Sequence, residues 1–197
     1  MKCTILFGSP RPQGNTAWLT DIFCEELKKL GVEICCIPLY SRDIRPCLGC
    51  MTCQNRLNEL GCVHRDDFES VFNNMVDSDL ILFATPIYAW YCTAPMKALL
   101  DRAIYAGNKN YGHQRGPAML AGKNAAALVT CGYPEEKGAD VWEAGLKRVC
   151  RHSKMNYLGM LCCRDLGSKV PFADDEKELR ARAFARSLYN SLILEDV

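Results

Sequence analysis

Five blocks of nearly unbroken apolar sequence recur along the chain, and between them the apolar positions thin out to helical spacing. Residues 2–8 form the first block, closed by Ser9-Pro10. A short continuous apolar run that ends in turn residues reads as a strand buried on both faces. Over residues 16–30, Trp18, Leu19, Ile22, Phe23, Leu27 and Leu30 recur at helical intervals, which predicts an amphipathic helix stopped at Gly31. Further strands are predicted at 32–39, 79–84, 123–130 and 155–163. Further helices are predicted at 66–76, capped by Asp66, at 94–106 with Pro95 in the first turn, at 138–152 and at 174–194. Residues 40–65 and 108–122 carry no period and read as loops.

Strict alternation of buried strands with amphipathic helices implies a parallel sheet covered on both faces. Crossovers are right-handed, so the natural arrangement is an α/β doubly wound, three-layer α/β/α sandwich on five parallel strands. No repeat or linker divides the chain, and 1–197 reads as one domain with a cysteine-rich insertion at about 40–65.

Charge narrows the function classes. Lys and Arg total 24 against 23 Asp and Glu, so no excess draws the chain to nucleic acid or to a membrane surface. No apolar run is long enough to span a bilayer, and the first one is too short for a secretory signal, so a cytoplasmic location is expected. Thirteen cysteines, an odd number, fit reduced thiols better than a disulfide framework. Cys3, Cys24, Cys35, Cys36, Cys92, Cys150, Cys162 and Cys163 lie in apolar stretches and are expected to serve as small core residues.

In an open parallel sheet, ligands bind beyond the carboxyl ends of the strands, where the strand order reverses. The loop after the first strand suits a phosphate. Ser9 and Thr16 offer hydroxyls, Arg11 offers charge, Gly14 allows close backbone approach, and a helix N-terminus follows. Neither the nucleoside-triphosphate loop nor the Gly-x-Gly-x-x-Gly fingerprint is present, so a terminal phosphate monoester fits best. After the third strand, Tyr88, Trp90 and Tyr91 offer faces for a flat heterocycle, though aromatics in such a place pack into cores more often than they line sites. Gly132, after the fourth strand, reads alone as a turn.

Together, Gly8-Ser9-Pro10-Arg11 with Gly14-Asn15-Thr16, Thr85-Pro86-Ile87-Tyr88, and the run from Lys97 to Arg102 resemble the NAD(P)H-dependent FMN reductase family. The segment from Cys47 through Cys50 and Cys53 to Cys62-Val63-His64 resembles its iron–sulfur flavoprotein branch. The resemblance spans the first two-thirds of the chain. It implies a flavodoxin-like fold, FMN as cofactor and a homodimer or homotetramer. It implies that Ser9, Arg11, Asn15 and Thr16 hold the phosphate, that Pro86, Ile87, Tyr88, Ala89 and Trp90 run along the isoalloxazine, and that Gly132 meets its other edge. Lys97, Asp101 and Arg102 read as structural, the two cations laying their stems over apolar surface.

Cys47, Cys50 and Cys53 are spaced three apart, and Cys62 follows after Gln54 to Gly61. One such run with a single later cysteine favours an iron–sulfur centre over zinc, which more often takes two separated knuckles. The residues leave two readings open: a 4Fe–4S cluster, or an empty or structural group of thiols. His64 reads as a lone surface histidine, and His113 and His152 have no partner in sequence. No nucleophile set appears, and hydride chemistry on a flavin needs none, so no catalytic residue is assigned. The expected function is FMN-dependent oxidoreduction with NAD(P)H as co-substrate and a small molecule or redox protein as acceptor. The alternatives are an electron carrier that meets no nicotinamide, and a zinc-stabilised binding module.

Overall fold

A computed structural model describes residues 1–109, 116–167 and 170–195; His113 and the middle of the loop read at 108–122 lie outside the described residues. Five strands, β1 Lys2–Phe7, β2 Glu33–Pro38, β3 Leu80–Pro86, β4 Asn124–Cys131 and β5 Asn156–Arg164, form one sheet in the order β2-β1-β3-β4-β5. Every pairing is parallel. The helices are α1 Asn15–Lys29, α2 Phe68–Val76, α3 Ala94–Gly107, α4 Glu135–Gly138, α5 Asp140–Ser153 and α6 Asp175–Glu195.

Pleating divides the core in two, because successive side chains point to opposite faces. From β3, Ile81 and Phe83 enter one apolar cluster, with Phe72 of α2, Leu99 of α3 and Trp142 of α5. Leu80, Leu82 and Ala84 enter the other, with Phe23 of α1 and Leu188 of α6. Helices therefore cover both faces, and the three-layer arrangement stands.

Three expectations change. The helix expected at 138–152 begins earlier and is broken at Ala139 into α4 and α5. The break seats the backbone of Gly138 against the sheet, where a Cβ would come within 2.5 Å of Cys131 Sγ. In the stretch expected to be loop, Asn108 makes an antiparallel bridge to Ala118. Cys36, expected in the core, is exposed and Cys35 is half-buried, because β2 is an edge strand; Cys24, on α1, is also half-buried. The other edge strand carries an irregularity. Tyr157 pairs with Ala125 but Gly159 with Ala126, so Leu158 is the extra residue of a bulge, and Gly159 takes a φ of 129°.

The order reverses at β1, where the chain first runs outward to β2 and later returns on the other side through β3. The loops leaving β1 and β3 therefore diverge and open a crevice at their carboxyl ends.

Candidate functional site

The loop after β1 is pinned at both ends. Gly8 N–H donates to Ala84 O (2.8 Å), and Thr93 Oγ1 donates to Gly8 O (2.7 Å). Further on, Arg11 N–H donates to Ser9 Oγ (3.2 Å) and Gly14 N–H to Arg11 O (3.1 Å). A Cβ at Gly14 would lie 2.9 Å from Arg11 Cβ, so the curl closes only around glycine. Gly14 is the N-cap of α1, and no side chain caps the helix. The first N–H groups of α1 are thus left for a ligand rather than a side chain. Thr16 Oγ1 lies 2.8 Å from Thr130 Oγ1, which locks the helix start to β4.

A cavity of about 340 Å³ opens here. Of the residues read from sequence, Ser9, Arg11, Gly14, Asn15, Thr16, Pro86, Ile87, Tyr88 and Gly132 line it. A second cavity of about 310 Å³ shares Ile87, Tyr88, Cys131 and Gly132 with the first and adds Ala89 and Trp90. All eleven expected flavin-site residues thus fall on one continuous crevice. A Cβ at Gly132 would meet nothing within 4 Å, so the wall there is flat backbone.

The loop after β3 is a tight hairpin turn. Tyr88 and Tyr91 exchange N–H···O bonds of 2.9 and 3.0 Å around Ala89 and Trp90. Both central residues have positive φ, 50° and 60°, in a turn that favours Asn-Gly. This strain sits where the backbone meets the crevice. It presents Trp90, 46% exposed, to Tyr133, with ring centroids 5.2 Å apart. Tyr91 has the other fate open to it in sequence. It packs edge-on against buried Trp142 at 5.3 Å, and burial pushes its hydroxyl pKa up.

Sequence reasoning reached the loop after the fourth strand but assigned only Gly132 there, leaving out Thr130, Cys131 and Tyr133, and it missed Gly138, Asp165 and Gly167. Asp165 matters most. Its Oδ2 accepts from Asn15 Nδ2 (2.8 Å), and its Oδ1 accepts from Gly167 N–H (2.9 Å). The one available signal was its position just past the fifth predicted strand.

The cysteine-rich stretch contains only two single turns, Leu39–Ser41 and Thr52–Asn55. Polar ties hold the rest: Asp43 N–H to Asp67 Oδ2 (2.9 Å), Arg45 N–H to Asp66 Oδ2 (3.0 Å), and His64 Nε2 at 3.1 Å from Pro46 O. His64 is half-buried rather than a free surface residue. Cys47, Cys50, Cys53 and Cys62 all line one apolar pocket with His64, Arg102 and Tyr105, and no carboxylate lines it. Four soft sulfur donors around an apolar floor suit an iron–sulfur centre. They are not drawn in to coordinating distance: among the described residues no group of three His, Cys, Asp or Glu stands close enough to hold a metal ion. Hydrogen bonds from Thr52 lower the pKa of exposed Cys50, whereas burial raises that of Cys53.

Arg102 departs from its expected role. Lys97 does pair on the surface with Asp101, Nζ to Oδ2 at 2.7 Å. The guanidinium of Arg102, however, is buried, 2.6 Å from Asp66, with both side chains 1% exposed. It stacks over Phe68 at 4.2 Å and donates to Cys62 Sγ at 3.3 Å. Asp66, expected to cap α2, stands one residue before the N-cap Asp67, which makes no side-chain cap bond; the Oδ1 of Asp66 accepts from Phe68 N–H at 3.2 Å. Burial raises the Asp66 pKa, but Arg102 and the N–H groups of Arg45 and Phe68 outweigh it and leave the carboxyl below its ordinary value.

A crevice at the switch point of a 2-1-3-4-5 parallel sheet, with a phosphate-type loop on one side and an aromatic turn on the other, defines the class of flavodoxin-like mononucleotide-binding proteins. Within that class the chain belongs to the NADPH-dependent FMN reductase family, whose model matches residues 1–162. An iron-sulfur flavoprotein of Archaeoglobus fulgidus is 34% identical over 139 residues, 69% of this chain and 58% of that one. Another, of Methanocaldococcus jannaschii, is 33% identical over 134 residues, 67% of this chain and 62% of the relative. The chain thus matches about three-fifths of the length of these relatives. Among solved structures, the NAD(P)H:quinone oxidoreductase from Methanothermobacter marburgensis superposes with a TM-score of 0.70 at 22% identity, covering 95% of this chain and 98% of that one, which establishes the shared fold. No helix among the described residues is long and apolar enough to cross a membrane.

Proposed function

We propose that the protein is an FMN-dependent oxidoreductase that takes electrons from NADH or NADPH and passes them to a small-molecule or protein acceptor. The observation that carries this reading is the uncapped start of α1 beside the Ser9–Thr16 loop, continuous with a slot floored by Gly132 and edged by Tyr88 and Trp90. Ser9, Arg11, Asn15 and Thr16 would hold the phosphate, and Pro86 to Trp90 with Gly132 the ring system. Bound there, FMN supplies hydride acceptance and one- or two-electron release. The chain's part is to orient the ring and to leave one face open, and no side chain has to move a proton.

The protein is expected to purify yellow or to take up added FMN, in preference to FAD because the loop closes on a terminal phosphate. Flavin fluorescence titration checks this, and no binding defeats the reading. NADH or NADPH is then expected to bleach the bound flavin anaerobically. Bleaching by dithionite alone would leave an electron carrier that meets no nicotinamide.

The second part of the proposal is a 4Fe–4S cluster on Cys47, Cys50, Cys53 and Cys62, supported by their sharing one apolar pocket and by the names of the relatives. After anaerobic reconstitution with iron and sulfide, about four irons per subunit and a reduced-cluster EPR signal are expected. Cys50→Ser is expected to abolish both and to leave FMN in place. Zinc in the purified protein and no iron after reconstitution would favour a structural thiol site. A cytoplasmic homo-oligomer completes the reading: thirteen unpaired cysteines suit a reducing compartment, and exposed Tyr88, Trp90 and Tyr133 at the crevice mouth suit a subunit contact.

A further inference from the structure

Two buried cations lie against the cysteine segment, and one of them is ion-paired. Arg102 has Asp66. Lys109 is 0% exposed, and its Nζ donates to two neutral acceptors, Cys53 O at 2.8 Å and Leu60 O at 3.0 Å. No ion pair to Lys109 occurs among the described residues: Asp66 is taken by Arg102, and Glu59, paired with Arg56, acts on Lys109 only at longer range. An ammonium taken out of water with carbonyl partners alone is strongly disfavoured unless a negative charge lies close by.

The two carbonyls are informative by position. Cys53 is the third cysteine of the set, and Leu60 stands two residues before the fourth. Lys109 therefore bridges the two ends of the Gln54 to Gly61 segment that separates the last two thiols. The lysine is itself held firmly. Its N–H donates to Pro117 O at 3.0 Å and its carbonyl accepts from Gly116 N–H. A Cβ at Gly116 would lie 2.7 Å from Lys109 Cβ and 2.8 Å from Leu57 Cδ2, so glycine lets the two strands of this clasp close on the loop. The tie runs both ways, since Gln54 Nε2 donates to Asn108 O at 2.9 Å and to Tyr105 O at the end of α3.

We propose that Lys109 is the positioning residue of the cysteine site: it spans the long gap between the third and fourth thiols, and with Arg102 it supplies the counter-charge for an anionic tetrathiolate iron–sulfur centre. This rests on the cluster reading above and assigns the neutralising charge and the bridge to named side chains. Four thiolates outnumber the charge of the iron–sulfide core they hold, so the centre is anionic, and one-electron reduction makes it more so. A fixed cation beside it favours the reduced form.

The test uses the full chain with its FMN, reconstituted anaerobically, as wild type, Lys109→Met, Lys109→Gln and Lys109→Arg. Iron is counted and the cluster is titrated by EPR-monitored reduction. Lys109→Met is expected to hold less iron and to reduce at a more negative potential, with FMN content unchanged. Lys109→Arg is expected to restore both. Lys109→Gln, which can still donate to a carbonyl, is expected to recover iron but not potential. Wild-type iron and potential in Lys109→Met would overturn the proposal, and wild-type potential in Lys109→Gln would overturn the counter-charge. A wild-type protein that holds no iron defeats the cluster reading and the counter-charge together. Trypsin cleavage at Arg56 in the iron-free chain judges the bridge separately: faster cleavage in Lys109→Met supports it, and an unchanged rate overturns it.

Discussion

Arg102→Met is expected to lower the unfolding free energy by about 3–5 kcal/mol, because it leaves a buried carboxylate without its cation. The partner is Asp66, 2.6 Å away with its side chain 1% exposed. Methionine keeps most of the apolar stem but removes the charge, its stacking over Phe68, the bond to Asp66 and the donor to Cys62 Sγ. Urea unfolding measures the effect, and a change under ~1 kcal/mol would show that the pair is solvated in solution. The pH dependence adds a second check. The folded-state pKa of Asp66 is lowered, so its contribution is fully present above the ordinary carboxylate range and is lost as pH falls through the folded value. Wild type is therefore expected to lose stability in acid along that slope. In Arg102→Met the slope flattens, since the pKa of Asp66 returns upward. Asp66→Asn alone is expected to cost a similar amount, by stranding the guanidinium instead.

Asn15→Leu is expected to weaken FMN about a hundredfold, or ~2–3 kcal/mol. Asn15 stands at the first position of α1 and donates to Asp165 Oδ2 at 2.8 Å. Leucine removes an amide from the phosphate side of the crevice. It also leaves one oxygen of Asp165 unpaired on the cavity wall, where a negative charge repels an incoming phosphate. Quenching of flavin fluorescence reads the dissociation constant directly, and an unchanged value would remove Asn15 from the phosphate site. Asp165→Asn in the same background is expected to recover part of the loss.

The features of this protein that depend on neighbours along the chain are legible in its sequence. Buried strands such as residues 79–84 announce themselves because both faces of a parallel strand are covered, and the Ser9–Thr16 loop because turn residues, hydroxyls and a helix start are contiguous. The eleven residues proposed for the flavin site come from segments of that kind, and the four cysteines from their spacing. What stays hidden is assembled by distant segments. Asp165 reaches Asn15 across 150 positions. Lys109 looks like any loop lysine until α3 delivers it beneath the cysteines. The burial of Arg102 depends on Asp66, 36 residues away, accepting its charge. The division of α4 from α5 is hidden because the close contact of Gly138 with Cys131 is tertiary. Tyr88, Trp90 and Tyr91 show the limit of composition: one short turn sends two rings to the crevice and one into the core.

The bulge in β5 bears on whether copies of this chain can pair edge to edge. An open sheet ends in unpaired N–H and C=O groups that invite a strand from another molecule. At β5 the extra residue Leu158 and the turned backbone of Gly159 interrupt the straight row of groups that a sixth strand would need. Pro38 closes the opposite edge strand without an N–H to offer. Edge-to-edge growth into longer sheets is thereby discouraged at both margins, which leaves side-chain surfaces on the loops and helices as the ground for any contact between copies.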